Sequence, residues 1–233
     1  MQVRHVIFDL DHTLLDPTEG IISSIAYALE AIHFPVPEMS VLKATVGLSI
    51  EDTFEKLTQS SNHVLFANFA KYFYEKEASA MNVSCTLLAG VMNLLYYLKQ
   101  MEISLAIVSN RSQKTMMPML QSNKLADHFE IIVGKEDVQR GKPDPEGLFS
   151  VLEYYKTSKE ECLYIGDSIT DGQAAEKAGM PFIAVLTGYT TREQFAKVPC
   201  MKIFADMNQL LAFLQETLEN VPLFSMSASS YVN

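Results

Sequence analysis

The stretch Val6-Ile7-Phe8-Asp9-Leu10-Asp11-His12-Thr13-Leu14-Leu15 decides the reading of this chain. From Val6 to Leu10 it is apolar except at Asp9, the composition of a short buried strand. A carboxylate in such a strand is costly unless it is paired or bound to a metal. Two of them at alternate positions, where the strand ends, point to a site at the carboxyl edge of an α/β sheet. A period of two sets Asp9 and Asp11 on one side, although the turn after the strand makes that parity only a guide. Taken alone, the stretch is matched equally well by a strand end carrying two solvated acids.

Three later segments shift the balance. Ser109-Asn110 follows the apolar run Leu105-Ala106-Ile107-Val108, and Gly166-Asp167-Ser168-Ile169-Thr170-Asp171 follows Cys162-Leu163-Tyr164-Ile165. Lys142 lies instead in the turn Gly141-Lys142-Pro143-Asp144-Pro145, where the prolines stiffen the backbone. Singly, each has an ordinary structural explanation: a turn or helix cap, an exposed loop, a strand-to-helix connection. Together they supply what phosphate-ester hydrolysis needs: a nucleophile, a proton donor for the leaving oxygen, and cations to offset charge. Asp9 is the natural nucleophile, and Asp11 is placed to protonate the leaving alkoxide and later to take a proton from water. Ser109 offers a hydroxyl to a phosphate oxygen, Asn110 or Arg111 a backbone N–H, and Lys142 a point charge. The four acids Asp9, Asp11, Asp167 and Asp171 would repel a phosphate dianion unless a divalent cation sits among them. Hard oxygen ligands beside a phosphate favour Mg²⁺.

In that order, Asp-x-Asp-x-Thr, the later Ser, Lys-Pro and Gly-Asp-x-x-x-Asp, the chain resembles the haloacid dehalogenase-like hydrolases. In layout it is most similar to their phosphoglycolate phosphatase-like branch, which carries a helical cap just after the first motif. The resemblance implies a doubly wound parallel-sheet, Rossmann-like α/β core with an inserted all-helical cap subdomain. It implies Asp9 as nucleophile and metal ligand, and Asp11 as acid/base with its backbone carbonyl on Mg²⁺. It also implies Ser109 and Lys142 on phosphate, Asp167 as a ligand, and Asp171 supporting the metal shell directly or through water. His12 stands where most relatives have Gly, and its bulk at a cap-facing turn is expected to influence substrate choice. Asp11 argues against a dehalogenase, since a halide leaving group needs no acid.

The organisation of the chain agrees with an insertion. Ile21, Ile22, Ile25, Ala26, Leu29 and Ile32 make one apolar helical face, ended by Pro35 and Pro37. Further helical patterns cover about 50–57 and 64–74, and no strand is expected between Pro17 and Leu87. Residues 17–87 are therefore expected to form the cap, and 1–16 with 88–224 the catalytic core. Within the cap, Gly47, Leu48 and Ser49 are the expected substrate-facing turn. From 88 onward helix and strand alternate: helix 91–99, strand 104–109, a helix around 114–121 with Pro118 causing a kink or late start, strand 131–133, helix 146–155, strand 163–165, helix 171–178 closed by Gly179, strands 182–185 and 203–204, and helix 207–218. The Ser-rich 225–233 is expected to be a loosely ordered tail.

Composition bounds the function. The chain has 233 residues, of which 48% are hydrophobic and 20% charged, enough for one core plus a subdomain. A net charge of −10 without a Lys/Arg cluster argues against a nucleic-acid or polybasic membrane partner. No apolar run approaches the roughly 20 residues that cross a bilayer, and no secretory layout opens the chain, so a cytoplasmic protein is expected. Cys85, Cys162 and Cys200 suggest neither a disulfide framework nor zinc. The leading expectation is a Mg²⁺-dependent phosphomonoesterase, monomeric or homodimeric, acting on a small phosphorylated metabolite such as phosphoglycolate or a sugar or nucleotide phosphate. Phosphoglucomutase-type transfer and pyrophosphate cleavage stay open on the same fold. A non-catalytic phosphate-binding module is a further class, disfavoured because binding alone would not require both Asp9 and Asp11. A P-loop kinase and a serine hydrolase lack their motifs.

Overall fold

The apolar runs pair side by side. In the computed structural model, which describes residues 3–220, β1 (His5–Phe8) lies between β4 (Ser104–Val108) and β6 (Cys162–Gly166), with His5 opposite both Ser104 and Cys162. With β5 (Ile131–Val133), β7 (Phe182–Val185) and β8 (Lys202–Phe204) these strands form a six-stranded parallel sheet in the order β5-β4-β1-β6-β7-β8. Parallel strands must be covered on both faces, and their side chains divide accordingly. Val6, Phe8, Leu105, Ile107, Leu163 and Ile165 pack under α5 (Val91–Gln100), α6 (Gln113–Ser122) and α10 (Met207–Asn220). Ile7, Ala106, Tyr164, Phe182 and Ala184 face α7 (Glu146–Tyr155), α8 (Ile169–Ala178) and the short α9 (Arg192–Phe195). The chain builds outward from β1 through β4 to β5, then from β6 through β7 to β8. The order therefore reverses at β1, where a crevice opens beyond the carboxyl ends.

Between the first strand and α5 runs a helical stretch with a core of its own. It comprises α1 (Thr18–Ala31), α2 (Met39–Lys43), α3 (Ile50–Thr58) and α4 (His63–Ser84). Ile22, Ile25, Leu29, Leu42, Phe54, Phe69 and Phe73 bury against one another in a cluster separate from the two sheet faces. Asn62 starts α4 by accepting from the amides of Val64 and Leu65, both at 3.0 Å.

Several elements differ from the sequence reading. The stretch 17–87 was expected to hold no strand, yet Thr86–Leu87 (β3) pairs antiparallel with Leu15–Asp16 (β2) where the chain enters and leaves the helical stretch. Two residues carry no readable period, so only the pairing reveals them. The helix expected over 64–74 continues to Ser84, and α2 and α9 are too short to impose a pattern. Pro118 does not delay α6, which begins at Gln113, well before the proline, with Ser112 capping it by accepting from Thr115 N at 3.3 Å. Residues 221–224 of the expected core and the expected tail 225–233 lie outside the described residues. Among the described residues no helix is long and apolar enough to cross a membrane.

Candidate active site

Each strand at the crevice delivers one acid or hydroxyl. Asp9 directly follows β1, its amide bound to Ile165 O at 2.9 Å, and is 7% exposed. The chain then turns, Leu14 and Leu15 both bonding back to Leu10 O. His12 occupies the left-handed region with φ +55°, a conformation that costs a residue with a Cβ and explains why glycine suits this turn. The Thr187 hydroxyl donates to His12 O, and the His12 ring meets Tyr189 edge-on at 5.0 Å. After β4 comes Ser109, whose Oγ accepts from Arg111 N at 3.2 Å. After β6 comes Asp167, which accepts from Thr13 Oγ1 at 3.1 Å. Backbone without a side chain passes close by: a Cβ on Gly188 would stand 1.8 Å from Asp167 Oδ2. Ser168 and Asp171 cap α8 reciprocally, fixing Asp171 in the first turn.

Lys142 joins these parts. Its Nζ donates to Asp9 Oδ1 at 2.5 Å, to Asp171 Oδ1 at 2.6 Å and to Tyr164 OH at 3.2 Å. The Asn110 side chain grips the Lys142 backbone from both sides, donating to its carbonyl at 2.9 Å and accepting from its amide at 2.7 Å. Burial opposes a charge on Lys142, yet Asp171 and Asp9 outweigh it and raise its pKa. The acids are short of positive charge. Burial first, then Asp171 and Asp11, push Asp9 up to about 7 against the pull of Lys142. Burial, then Asp9 and Asp171, push Asp167 up to about 9.

That shortfall is what a small divalent cation would correct, and the donor set fits one. Oxygens of Asp9, Asp167 and Asp171 all lie within 4.8 Å of one another, and hard carboxylates suit Mg²⁺. The three are not equivalent. Asp171 is fully buried and both its oxygens are engaged, one by Lys142 and Tyr164, the other by Ser168 N and Oγ. Asp9 and Asp167, by contrast, face the cavity.

That cavity, of about 660 Å³, is lined by Asp9, Asp11, His12, Gly47, Ser109, Asn110, Lys142 and Asp167, among others. The expected residues thus converge, with three exceptions, the first being Asp171, buried behind Lys142 and not on the cavity wall. Leu48 lines a neighbouring cavity of about 350 Å³. Ser49 lines neither: it caps α3, accepting from Asp52 N at 3.0 Å and donating to Asp52 Oδ2 at 2.7 Å. Gly47 has φ +93°, and a Cβ there would come within 2.9 Å of the Tyr189 ring.

The sequence reading missed Arg111 and Glu77. Arg111 is anchored between core and helical stretch, its Nε donating to Asp11 Oδ2 at 2.8 Å and its terminal nitrogen to Glu77 Oε1 at 2.9 Å. Burial opposes its charge, but Asp11 and Glu77 raise its pKa. Arg111 had been credited only with its backbone amide, and Glu77 sits beside other acids of α4 without distinguishing spacing. Tyr164 stands in the sequence only as a member of an apolar run, which gives no sign that its hydroxyl meets Lys142 and Asp171.

Carboxylates thus gather at the switch point of a parallel sheet around one buried lysine, a site suited to hydrolysis of a charged ester. The family profile of the haloacid dehalogenase-like hydrolases matches residues 6–185, and the chain belongs to that family. A phosphoglycolate phosphatase of Salmonella typhi is 29% identical, the match covering 91% of this chain and 92% of that protein. A Bacteroides fragilis structure described as a haloacid dehalogenase-like hydrolase superposes with a TM-score of 0.77 at 32% identity, over 90% of this chain and 100% of that one. A subfamily IA hydrolase of Geobacter sulfurreducens shares the fold with a TM-score of 0.73 at 22% identity, over 91% and 96%. By family and by likeness the chain is an enzyme of phosphatase type.

Proposed function

We propose that the chain is a Mg²⁺-dependent phosphomonoesterase that hydrolyses a small phosphorylated metabolite through an aspartyl-phosphate on Asp9. The observation that carries this reading is the Lys142 ammonium lying between Asp9 and Asp171, 2.5 and 2.6 Å away, at the floor of the cavity. A cation in that position holds the nucleophile's carboxylate in place and faces the phosphate it attacks. Asp9 attacks phosphorus as the ester bond breaks, and Asp11 gives its proton to the departing alkoxide. In the second half Asp11 takes a proton from water as that water attacks the phosphoaspartate, releasing phosphate and restoring Asp9. Ser109 and the amide of Asn110 donate to the phosphate oxygens. Asp9, Asp167 and the Asp11 carbonyl would hold Mg²⁺, with Asp171 supporting the site through Lys142. The bound ion supplies charge neutralisation and orientation of the phosphate.

Residues 17–87 act in this reading as a mobile cap over the site, excluding water from it. A cytoplasmic enzyme, monomeric or homodimeric and working without nucleic acid or membrane, completes the reading. Phosphoglycolate is a natural first substrate to test, since the Salmonella relative is named for it. The test is phosphate release with Mg²⁺ over phosphoglycolate, sugar phosphates, nucleoside monophosphates and pyrophosphate. Asp9→Asn should be folded and inactive, EDTA should silence the parent, Mg²⁺ should restore it, and Ca²⁺ should substitute poorly. Activity retained by Asp9→Asn, or by exhaustively chelated protein, overturns the reading.

A further inference from the structure

Next to the phosphate cavity lies a second one of about 350 Å³, within the usual size of a small-molecule site, roughly 300–1,000 Å³. The two share a wall: Asp11, His12, Gly47, Tyr74 and Glu77 line both. The phosphate-side groups Asp9, Ser109 and Lys142 line only the first. In the proposed reaction Asp11 protonates the ester oxygen, so the alcohol part of the substrate leaves on the Asp11 side. The second cavity lies on that side.

Its chemistry is one-sided. Ile21, Ile25, Val46, Leu48, Ile50 and Phe73 supply apolar wall. Thr45 and Thr53 also line it, but their hydroxyls donate to backbone carbonyls, Thr45 to Leu42 O at 2.7 Å and Thr53 to Thr45 O at 3.5 Å. No lysine or arginine is among the described residues that line it, and its acidic groups are Asp11 and Glu77. Of the basic groups nearby, Arg111 is bound by those same two carboxylates, Lys142 by Asp9 and Asp171, Lys114 and Lys135 line only the first cavity, and burial opposes a charge on His12 in the shared wall. A carboxylate on the substrate would enter an apolar chamber with two acids in its shared wall and no lysine or arginine on its lining. A hydrocarbon group would bury its surface there and bring no charge of its own to be desolvated.

We propose that this second cavity receives the alcohol part of the substrate, and that this part is neutral and apolar, about the size of one aromatic ring, rather than a carboxylic acid. The inference rests on the phosphatase reading for its geometry, and binding separates the two. Three phosphonates in which a methylene replaces the ester oxygen, and which therefore resist hydrolysis, share one chain length: 2-phenylethylphosphonate, propylphosphonate and 3-phosphonopropionate. Calorimetry with Mg²⁺ should find the phenyl compound bound about tenfold or more tighter than either other, the gain expected from burying a ring. Ile50→Lys should weaken the phenyl compound and strengthen 3-phosphonopropionate. Leu48→Ala, at an exposed position, should weaken the phenyl compound several-fold and propylphosphonate much less. In turnover, benzyl phosphate should exceed both ethyl phosphate and phosphoglycolate in kcat/KM. Equal binding of the phenyl and propyl compounds, or tighter binding of 3-phosphonopropionate, overturns the proposal. Failure of every ester to release phosphate overturns the phosphatase reading instead, and the phosphonate ranking still decides this one.

Discussion

At Asp11 the two carboxylate oxygens have different surroundings. Oδ2 accepts from Arg111, while Oδ1 is buried without a hydrogen-bond partner. A buried acceptor left open is unfavourable by itself, and in the proposed reaction this is the oxygen free to meet the leaving group. Asp11→Asn should therefore slow hydrolysis of alkyl phosphates by about 10²–10⁴-fold. Esters of acidic phenols, which leave without protonation, should be slowed far less. Equal losses on both would remove Asp11 from the proton-donor role. This residue was legible in the sequence, like Asp9, Ser109 and Asp167, because each stands directly after a short apolar run that ends at the same sheet edge. Arg111 and Glu77 were not. They are separated by 34 residues, and nothing in the sequence states that α4 will lie against α6.

The same pair gives α4 a double role as an element. Phe69 and Phe73 turn inward to the cluster of the helical stretch, while Glu77, one turn further on, reaches Arg111 of the catalytic core. Glu77 and Arg111 side chains are 16% and 9% exposed, so little water replaces the bond if one partner is cut away. Glu77→Ala should destabilise the protein by about 1–3 kcal/mol, the usual effect of leaving a buried charged donor short of its acceptor. Glu77→Gln, which keeps an oxygen in place, should recover most of that loss. Urea denaturation of the two variants checks it, and an alanine variant as stable as the parent would show the bridge to be idle. At this scale the sequence reading found the elements whose periodicity ran for several turns or whose strands were continuous apolar runs. It lost those defined by pairing alone, β2 with β3, and those too short to show a period, α2 and α9.

Over the whole molecule the charge balance explains why the site is so demanding. The chain carries a net charge of −10 and still gathers Asp9, Asp167 and Asp171 around one buried lysine. Removing metal should expose that shortfall as a pH dependence with a definite sign. Asp9 and Asp167 are raised from 3.8 to about 7 and about 9 in the folded protein. Between those values and 3.8 the folded chain holds protons that the unfolded chain has released, so unfolding releases protons and stability falls as pH rises. The contribution is fully present below the unfolded pKa and is lost as pH climbs through about 7 for Asp9 and about 9 for Asp167. Metal-stripped protein should accordingly show a Tm that declines from about pH 5 to about pH 9, and Asp167→Asn should flatten much of that decline. Added Mg²⁺ should raise Tm more at pH 8 than at pH 6, because the ion competes with protons for the same oxygens and binds the folded state alone. A metal-stripped Tm that stays level across this window in the parent, or an Asp167→Asn variant with an unchanged slope, would mean that these carboxylates do not carry the strain their burial implies.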